Sequence, residues 1–326
     1  MQTAVIKNPG SSLIYLRVNE EWFCYDYKLQ PLGQGALGIV YLGFDCNSHQ
    51  RVAIKKIRDE YTNNRYVRQS ARAEASKIFY HPNIVHTIGL CEENKYNGAM
   101  YIISEYIPGV TFESFVRTRL NNLSKTARIV RIVSEMRQIL DALKYLHNLG
   151  ILHKDIKPSN IMIDSVLRVK LTDLGISEAY HKQIRTIKEF IGTPQYAAPE
   201  MIPESGISSP IDARTDLYAF GVTLYELITG FNPFAGATND ETLHNQLCRV
   251  LPENSELPRK LFKILEKATA KEPDKRYQTA TEFDNALVEF LIYAQSKNKV
   301  RSIWVYVTVI IFGIIGAILL LQGALL

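Results

Sequence analysis

Apolar positions follow two different rhythms, and the change between them divides the chain. From about residue 27 to 107, short runs such as "VYLGFD" and "RVAIKKI" read as β-strands between turn signals, with one helical stretch at about 65–79 among them. After Pro108-Gly109 the spacing becomes helical. In "RIVRIVSEMRQILDALKYLHNLG" Ile129, Val133, Met136, Ile139, Leu140, Leu143 and Leu146 recur at helical intervals, and Gly150 is placed to end the helix. "NIMIDSVLRVKLTD" predicts two short strands around a turn at Asp164-Ser165. "TDLYAFGVTLYELITG", apolar nearly all round, predicts a buried helix. The expectation is an α+β fold of two lobes, the first β-rich and the second helical, with a ligand cleft between them. Residues 1–26 read as an N-terminal extension to which the pattern assigns no structure.

A third rhythm closes the chain. Residues 303–326, "IWVYVTVIIFGIIGAILLLQGALL", carry no charge. About 20 apolar residues in a helix span the roughly 30 Å of bilayer hydrocarbon. The segment 303–324 is therefore expected to be a transmembrane helix, behind a basic juxtamembrane linker at 293–302 that includes Lys297, Lys299 and Arg301. Trp304 and Tyr306 stand where an interfacial belt would lie, and the positive-inside bias assigns everything before Ile303 to the cytoplasm. A buried core helix is the competing reading, and a helix apolar on every face at the chain end suits it poorly. Gly313 and Ala317 form a small-x-x-x-small pair that would let two such helices approach and the chain form a homodimer; such pairs are also frequent by chance in apolar segments.

Composition narrows the classes. The chain has 326 residues, 46% hydrophobic and 22% charged, with a net charge of +5 and no Lys/Arg block longer than two or three residues, so nothing signals a nucleic-acid partner. Its four cysteines (Cys24, Cys46, Cys91 and Cys248) are far apart and form no C-x-x-C pair, which reads as reduced thiols with neither a disulfide frame nor a zinc site. The N-terminus has no apolar core behind a basic start, so no signal peptide is expected.

Candidate chemistry lies in three stretches. "LGQGALGIV", residues 32–40, fits G-x-G-x-x-G-x-V through Gly33, Gly35, Gly38 and Val40. Glycines let backbone amides approach phosphate oxygens with no Cβ in the way. The context is strand-turn-strand, which argues against a dinucleotide fold. Fifteen residues after Val40, Lys55 ends "VAIK" and becomes a candidate to pair α- and β-phosphates. "ILHKDIKPSN", residues 151–160, packs an acidic acceptor, a cation and a metal-type oxygen ligand into one loop.

Taken in order, the glycine loop, "VAIK", "HKDIKPSN", "DLG" at 173–175 and "AAPE" at 197–200 resemble the signature of eukaryotic-type (Hanks-type) protein kinases, over roughly residues 27–292. The resemblance is to the Ser/Thr members found in bacteria, which are often membrane-anchored. It implies ATP as phosphoryl donor, Mg²⁺ (or Mn²⁺) as cofactor, and protein substrates bearing Ser or Thr, this chain included. Asp155 would accept the substrate hydroxyl's proton, Lys157 would neutralise the moving phosphoryl, and Asn160 and Asp173 would hold the metal. The nucleotide would lie against Leu32, Gly33, Gln34, Gly35, Ala36, Gly38, Val40, Ala53 and Lys55, with the hinge at Glu105, Tyr106 and Ile107 and Ser104 guarding the deeper pocket. Glu200 would pair with Arg276, Asp216 would hold the catalytic loop, and Lys157 with Thr193 points to Ser/Thr specificity.

Three departures qualify the match. The loop reads His-Lys-Asp where the family has His-Arg-Asp. Lysine is a point charge where arginine grips a phosphate bidentately, so weaker dependence on activation-segment phosphorylation is expected, with Thr186 as the candidate phosphosite. "DLG" replaces "DFG" through Leu174. Glu74, the best partner for Lys55, lies about two residues nearer "HPN" than the family pattern, so a solvated glutamate is the competing reading. As a whole the chain reads as an active, membrane-tethered kinase. The alternative is a membrane-anchored pseudokinase scaffold, opposed by the presence of Lys55, Asp155, Asn160 and Asp173. A small-molecule phosphotransferase usually lacks the peptide-docking "GTPxYxAPE" segment.

Overall fold

The computed structural model describes residues 5–35, 37–173, 193–206 and 209–297. The first lobe is an antiparallel sheet in the order β1 (Val5–Lys7), β2 (Leu13–Val18), β3 (Glu21–Asp26), β5 (Gly38–Asp45), β6 (Arg51–Ile57), β8 (Met100–Glu105), β7 (Thr87–Glu92), with β4 (Gly33–Gln34) paired to β5. Residues 5–26, left without structure above, thus form three of its strands. Their alternation is regular: Ile14, Leu16 and Val18 are buried, whereas Tyr15 and Arg17 are less so. The β2–β3 turn is Asn19-Glu20, with φ of 48° and 69°, the left-handed pair that a two-residue hairpin of type I′ requires.

The sheet has a core on each face. Met100 and Ile102 of β8 pack with Val67 and Ala71 of helix α1 (Arg65–Ser76). Tyr101 and Ile103, their alternates, face Leu16, Phe23 and Tyr25 of the N-terminal strands. The sheet curls so that β2 lies over β7. A Cβ on Gly89 would fall 2.5 Å from Val18 Cγ1, and Asn19 Nδ2 donates to Ile88 O at 3.4 Å. Helix α1 starts at the N-cap Asn64, whose side chain accepts from the amides of Tyr66 and Val67.

A short strand, β9 (Gly109–Thr111), precedes the helices of the second lobe and pairs with β10 (Ile161–Asp164), which pairs with β11 (Val169–Leu171). Gly109 is required there, since a Cβ would meet Ile163 O at 2.1 Å. Helix α2 (Phe112–Arg119) is capped by Thr111. The long α3 (Lys125–Asn148) is capped by Ser124 and followed by Gly150 at φ 70°. Helix α4 (Ala213–Thr229) is buried along almost its whole length and closed by Gly230. Helices α5 (Asn239–Cys248), α6 (Arg259–Ala268) and a last helix, α7 (280–297), complete the lobe. The lobes meet behind the cleft, where Val85 N donates to Leu171 O and Leu171 N to Asn83 O, both at 2.9 Å. Among the described residues no helix is long and apolar enough to cross a membrane. The apolar segment 303–324 and the pair Gly313–Ala317 lie outside the described residues.

Candidate active site

The glycine stretch forms a tight hairpin. Gly33 faces Val40, Gly35 N donates to Gly38 O at 2.8 Å, and Leu32 N donates to Val40 O at 2.8 Å. Arg58 holds the loop from below, its amide donating to Leu37 O at 3.0 Å and its Nε to Gly35 O at 3.1 Å. Ala36, at the tip, lies outside the described residues. On β6 the register sets Lys55 opposite Val40, and Ala53 opposite Ser104 of β8. At the hinge Glu105 is fixed through its Oε1, which accepts from His86 N at 2.8 Å and Lys170 Nζ at 2.6 Å, while Ile107 is buried.

Lys55 reaches across the cleft to Asp173 in an ion pair. Burial alone would lower its ammonium; the facing carboxylates of Asp173 and Glu74 override this and hold it above its ordinary value. Desolvation would raise the Asp173 carboxyl, but Lys55 holds it below the usual range. The sequence offered Glu74 as the partner of Lys55, and the structure does not bring the two into an ion pair. Glu74, in the last turn of α1, is buried at 6% exposure, which also departs from the solvated reading. Its Oε2 has no hydrogen-bond partner, and burial pushes its carboxyl up to about 7, with Lys55 opposing and Asp173 adding to the shift.

The loop 151–160 converges on Asp155. Its Oδ1 accepts from Thr193 Oγ1 at 2.9 Å, and its Oδ2 meets Lys157 Nζ at 2.7 Å and Asn160 Nδ2 at 2.9 Å. Lys157 Nζ also donates to Thr193 Oγ1 at 2.9 Å. One alcohol therefore sits between the carboxylate and the ammonium, donating to the first and accepting from the second. Asn160 Nδ2 gives its hydrogens to Asp155 O and Oδ2, both at 2.9 Å, which leaves its carbonyl oxygen for a cation. With the Asp173 carboxylate this is a pair of hard oxygen donors, the chemistry that suits a divalent ion shared with phosphates. No cluster of three or more His, Cys, Asp or Glu that would hold a metal unaided occurs among the described residues.

Two of the six left-handed non-glycine residues among the described ones lie here. Lys154 and Asp173 have φ of 65° and 58°, left-handed values that cost a non-glycine residue about 1–3 kcal/mol. Fully buried Asp216 holds the first of them: its Oδ1 accepts from Lys154 N at 2.7 Å and its Oδ2 from His153 N at 2.9 Å. Burial would raise the Asp216 carboxyl, and the hydrogen bond with His147 (Nε2 to Oδ2, 2.9 Å) outweighs it. His153 donates from Nε2 to Thr172 O at 3.0 Å and accepts at Nδ1 from Asp155 N at 3.3 Å, the pattern of a neutral ring, and burial lowers its pKa accordingly.

Glu200 and Arg276 form a bidentate pair, 2.7 Å on both arms, with both side chains fully buried. Thr215 adds a hydrogen bond to Glu200 at 2.8 Å. Thr186 and Leu174 fall outside the described residues. Sequence reasoning missed Lys170 on Glu105, His147 on Asp216, and the polar chain from Lys271 through Tyr218 to Gln246. None belongs to a short motif; His147, six positions before His153 at the end of an amphipathic helix, offered the only local signal.

A two-lobed fold with this cleft defines the protein kinase class, and comparison with known sequences agrees. The protein kinase domain family matches residues 27–287. The serine/threonine-protein kinase PrkC of Bacillus subtilis is 34% identical over 263 residues, 78% of this chain and 39% of PrkC. PknB of Mycolicibacterium smegmatis is 33% identical over 273 residues, 80% and 42% of the respective chains. The chain belongs to the protein kinase family and is similar to these bacterial serine/threonine kinases. It spans about two-fifths of the length of the curated relatives it matches.

Proposed function

We propose that the chain is an active serine/threonine protein kinase that moves the γ-phosphoryl of ATP to an alcohol on a protein, itself included. The observation that carries this reading is the Thr193 hydroxyl held between Asp155 and Lys157 at 2.9 Å from each, since a substrate alcohol needs the same two neighbours. Asp155 orients the alcohol and accepts its proton, and Lys157 neutralises charge on the phosphoryl in flight. Asn160 and Asp173 would hold Mg²⁺, or Mn²⁺ in its place, which when bound screens the phosphate charge. Lys55 leaves Asp173 for the α- and β-phosphates, and the loop 32–40 covers them with Gly33, Gly35 and Gly38. Ala53, Ser104, Glu105 and Ile107 line the base. Glu200 with Arg276, and Asp216 with the loop backbone, are supports. Residues 27–292 form the catalytic unit in this reading, and 303–324 anchor it to a bilayer with the catalytic unit in the cytoplasm.

Incubation with γ-labelled ATP and dephosphorylated casein tests the activity. Label recovered as phosphoserine or phosphothreonine is the expected result; nucleotide binding with no transfer would favour the scaffold instead. Carbonate extraction tests the anchor: the full chain should stay with membranes, and a chain ending at residue 297 should be released.

A further inference from the structure

Behind the peptide-facing segment lies a buried polar chain whose donors and acceptors can be assigned in only one direction. Gln246 of α5 is fully buried, and its Nε2 donates to Gln195 O at 2.7 Å and Pro194 O at 3.1 Å, using both amide hydrogens. Its Oε1 accepts from Tyr218 OH at 2.6 Å, and the Tyr218 oxygen accepts from Lys271 Nζ at 3.0 Å. A backbone carbonyl oxygen accepts only. The two carbonyls therefore turn the Gln246 nitrogen toward themselves and its oxygen toward Tyr218, whose hydroxyl gives its hydrogen to Gln246 and accepts from Lys271. A flipped amide would set oxygen against oxygen at Pro194 and Gln195. Lys271 is itself held in place, its Nζ 3.9 Å from the centroid of the Phe234 ring.

We infer that Gln246 is a positioning residue for peptide docking: it fixes the backbone of Pro194–Gln195 beside Thr193, its amide oxygen being held from behind by Tyr218 and, through Tyr218, Lys271. The turn Pro194–Tyr196 is a single 3₁₀ turn without a side-chain cap, so its shape depends on partners from outside. Asn232 Nδ2 supplies one, to Gln195 O at 3.2 Å, and Gln246 supplies two. Shifting this turn would displace the surface a peptide meets next to the alcohol site. The nucleotide side of the cleft, built on β4–β6 and the hinge, has no part in the chain of bonds. The inference rests on the proposed kinase activity.

The test uses the full chain with Gln246→Leu, Gln246→Glu and Tyr218→Phe. In the absence of nucleotide, hydrogen exchange is followed at the Tyr196 and Ala197 amides, which close the turn on Thr193 O and Pro194 O. In both Gln246 variants exchange should quicken by about tenfold or more, and KM for casein should rise by a similar factor while KM for ATP stays within about twofold. Tyr218→Phe should move both in the same direction by less. Should Gln246→Leu not fold, Tyr218→Phe, which removes only a hydroxyl, is read alone. Unchanged exchange at these amides, or KM for ATP rising together with KM for casein, overturns the inference. If the wild type transfers no phosphate, the proposed activity falls and the exchange data alone judge the anchoring.

Discussion

Arg276→Met removes the cation from the most buried ion pair in the described structure. The Glu200 carboxylate then keeps only Thr215 among its strong partners, and the carbonyls of Ala270, Lys271 and Arg214 lose donors at 2.7, 2.8 and 3.2 Å. Breaking a buried pair costs about 3–5 kcal/mol, because one charge is left uncompensated. The three stranded carbonyls, in part-buried bonds, add at least about 1 kcal/mol between them. The sum, about 4–6 kcal/mol, is a large share of the roughly 5–15 kcal/mol that holds a domain together. With a urea dependence near 3 kcal/mol per molar, the midpoint should fall by about 1.3–2 M. Urea unfolding followed by circular dichroism reads this directly. Because an apolar pair can replace a buried ionic one at little cost, Glu200→Met combined with Arg276→Met should recover at least half the loss. A single-variant cost below about 1 kcal/mol, or a double variant less stable than the single one, would refute the reasoning.

Three further outcomes are expected. Glu74 gives the ligand-free protein a pH dependence: its carboxyl holds a proton up to about 7 in the fold against 4.5 as a free side chain, so stability present below pH 4.5 is lost as pH rises through 7. At about 1.4 kcal/mol per pH unit the ceiling is about 3.5 kcal/mol, and Glu74→Gln should abolish that slope in thermal melts between pH 5 and 8; an unchanged slope counts against it. Ser104→Met should weaken bulky ATP-competitive compounds by about tenfold or more in displacement assays while sparing ATP, and equal affinity would sink the idea of extra room behind the adenine. Thr186→Ala should lower the rate by less than about tenfold, since Lys154 replaces a bidentate arginine; a loss of several orders of magnitude would contradict it.

The parts of the site that could be read from sequence were those where chemistry forces a spacing. The glycines, Lys55 and the Asp155–Asn160 loop keep their meaning within a few residues, and helices such as α3 and α4 declare themselves by periodicity. The N-terminal strands were hidden although β2 alternates regularly, because their turn uses Asn19-Glu20, without the glycine that usually marks a type I′ hairpin. Glu74 could be named as the candidate but not its state, since whether Lys55 bonds it or Asp173 depends on how far α1 sits from β6. Gln246 and Lys271 carried no signal: their partners are 51 and 53 residues away in the chain, and only the fold brings them together.

The most direct test of the account compares Asp155→Asn with the wild type in two assays on the same preparations, phosphoryl transfer to casein and equilibrium binding of ATP with Mg²⁺. The account predicts a fall in kcat of about 10²–10⁴-fold, with nucleotide affinity retained. Transfer at an undiminished rate by Asp155→Asn would contradict it.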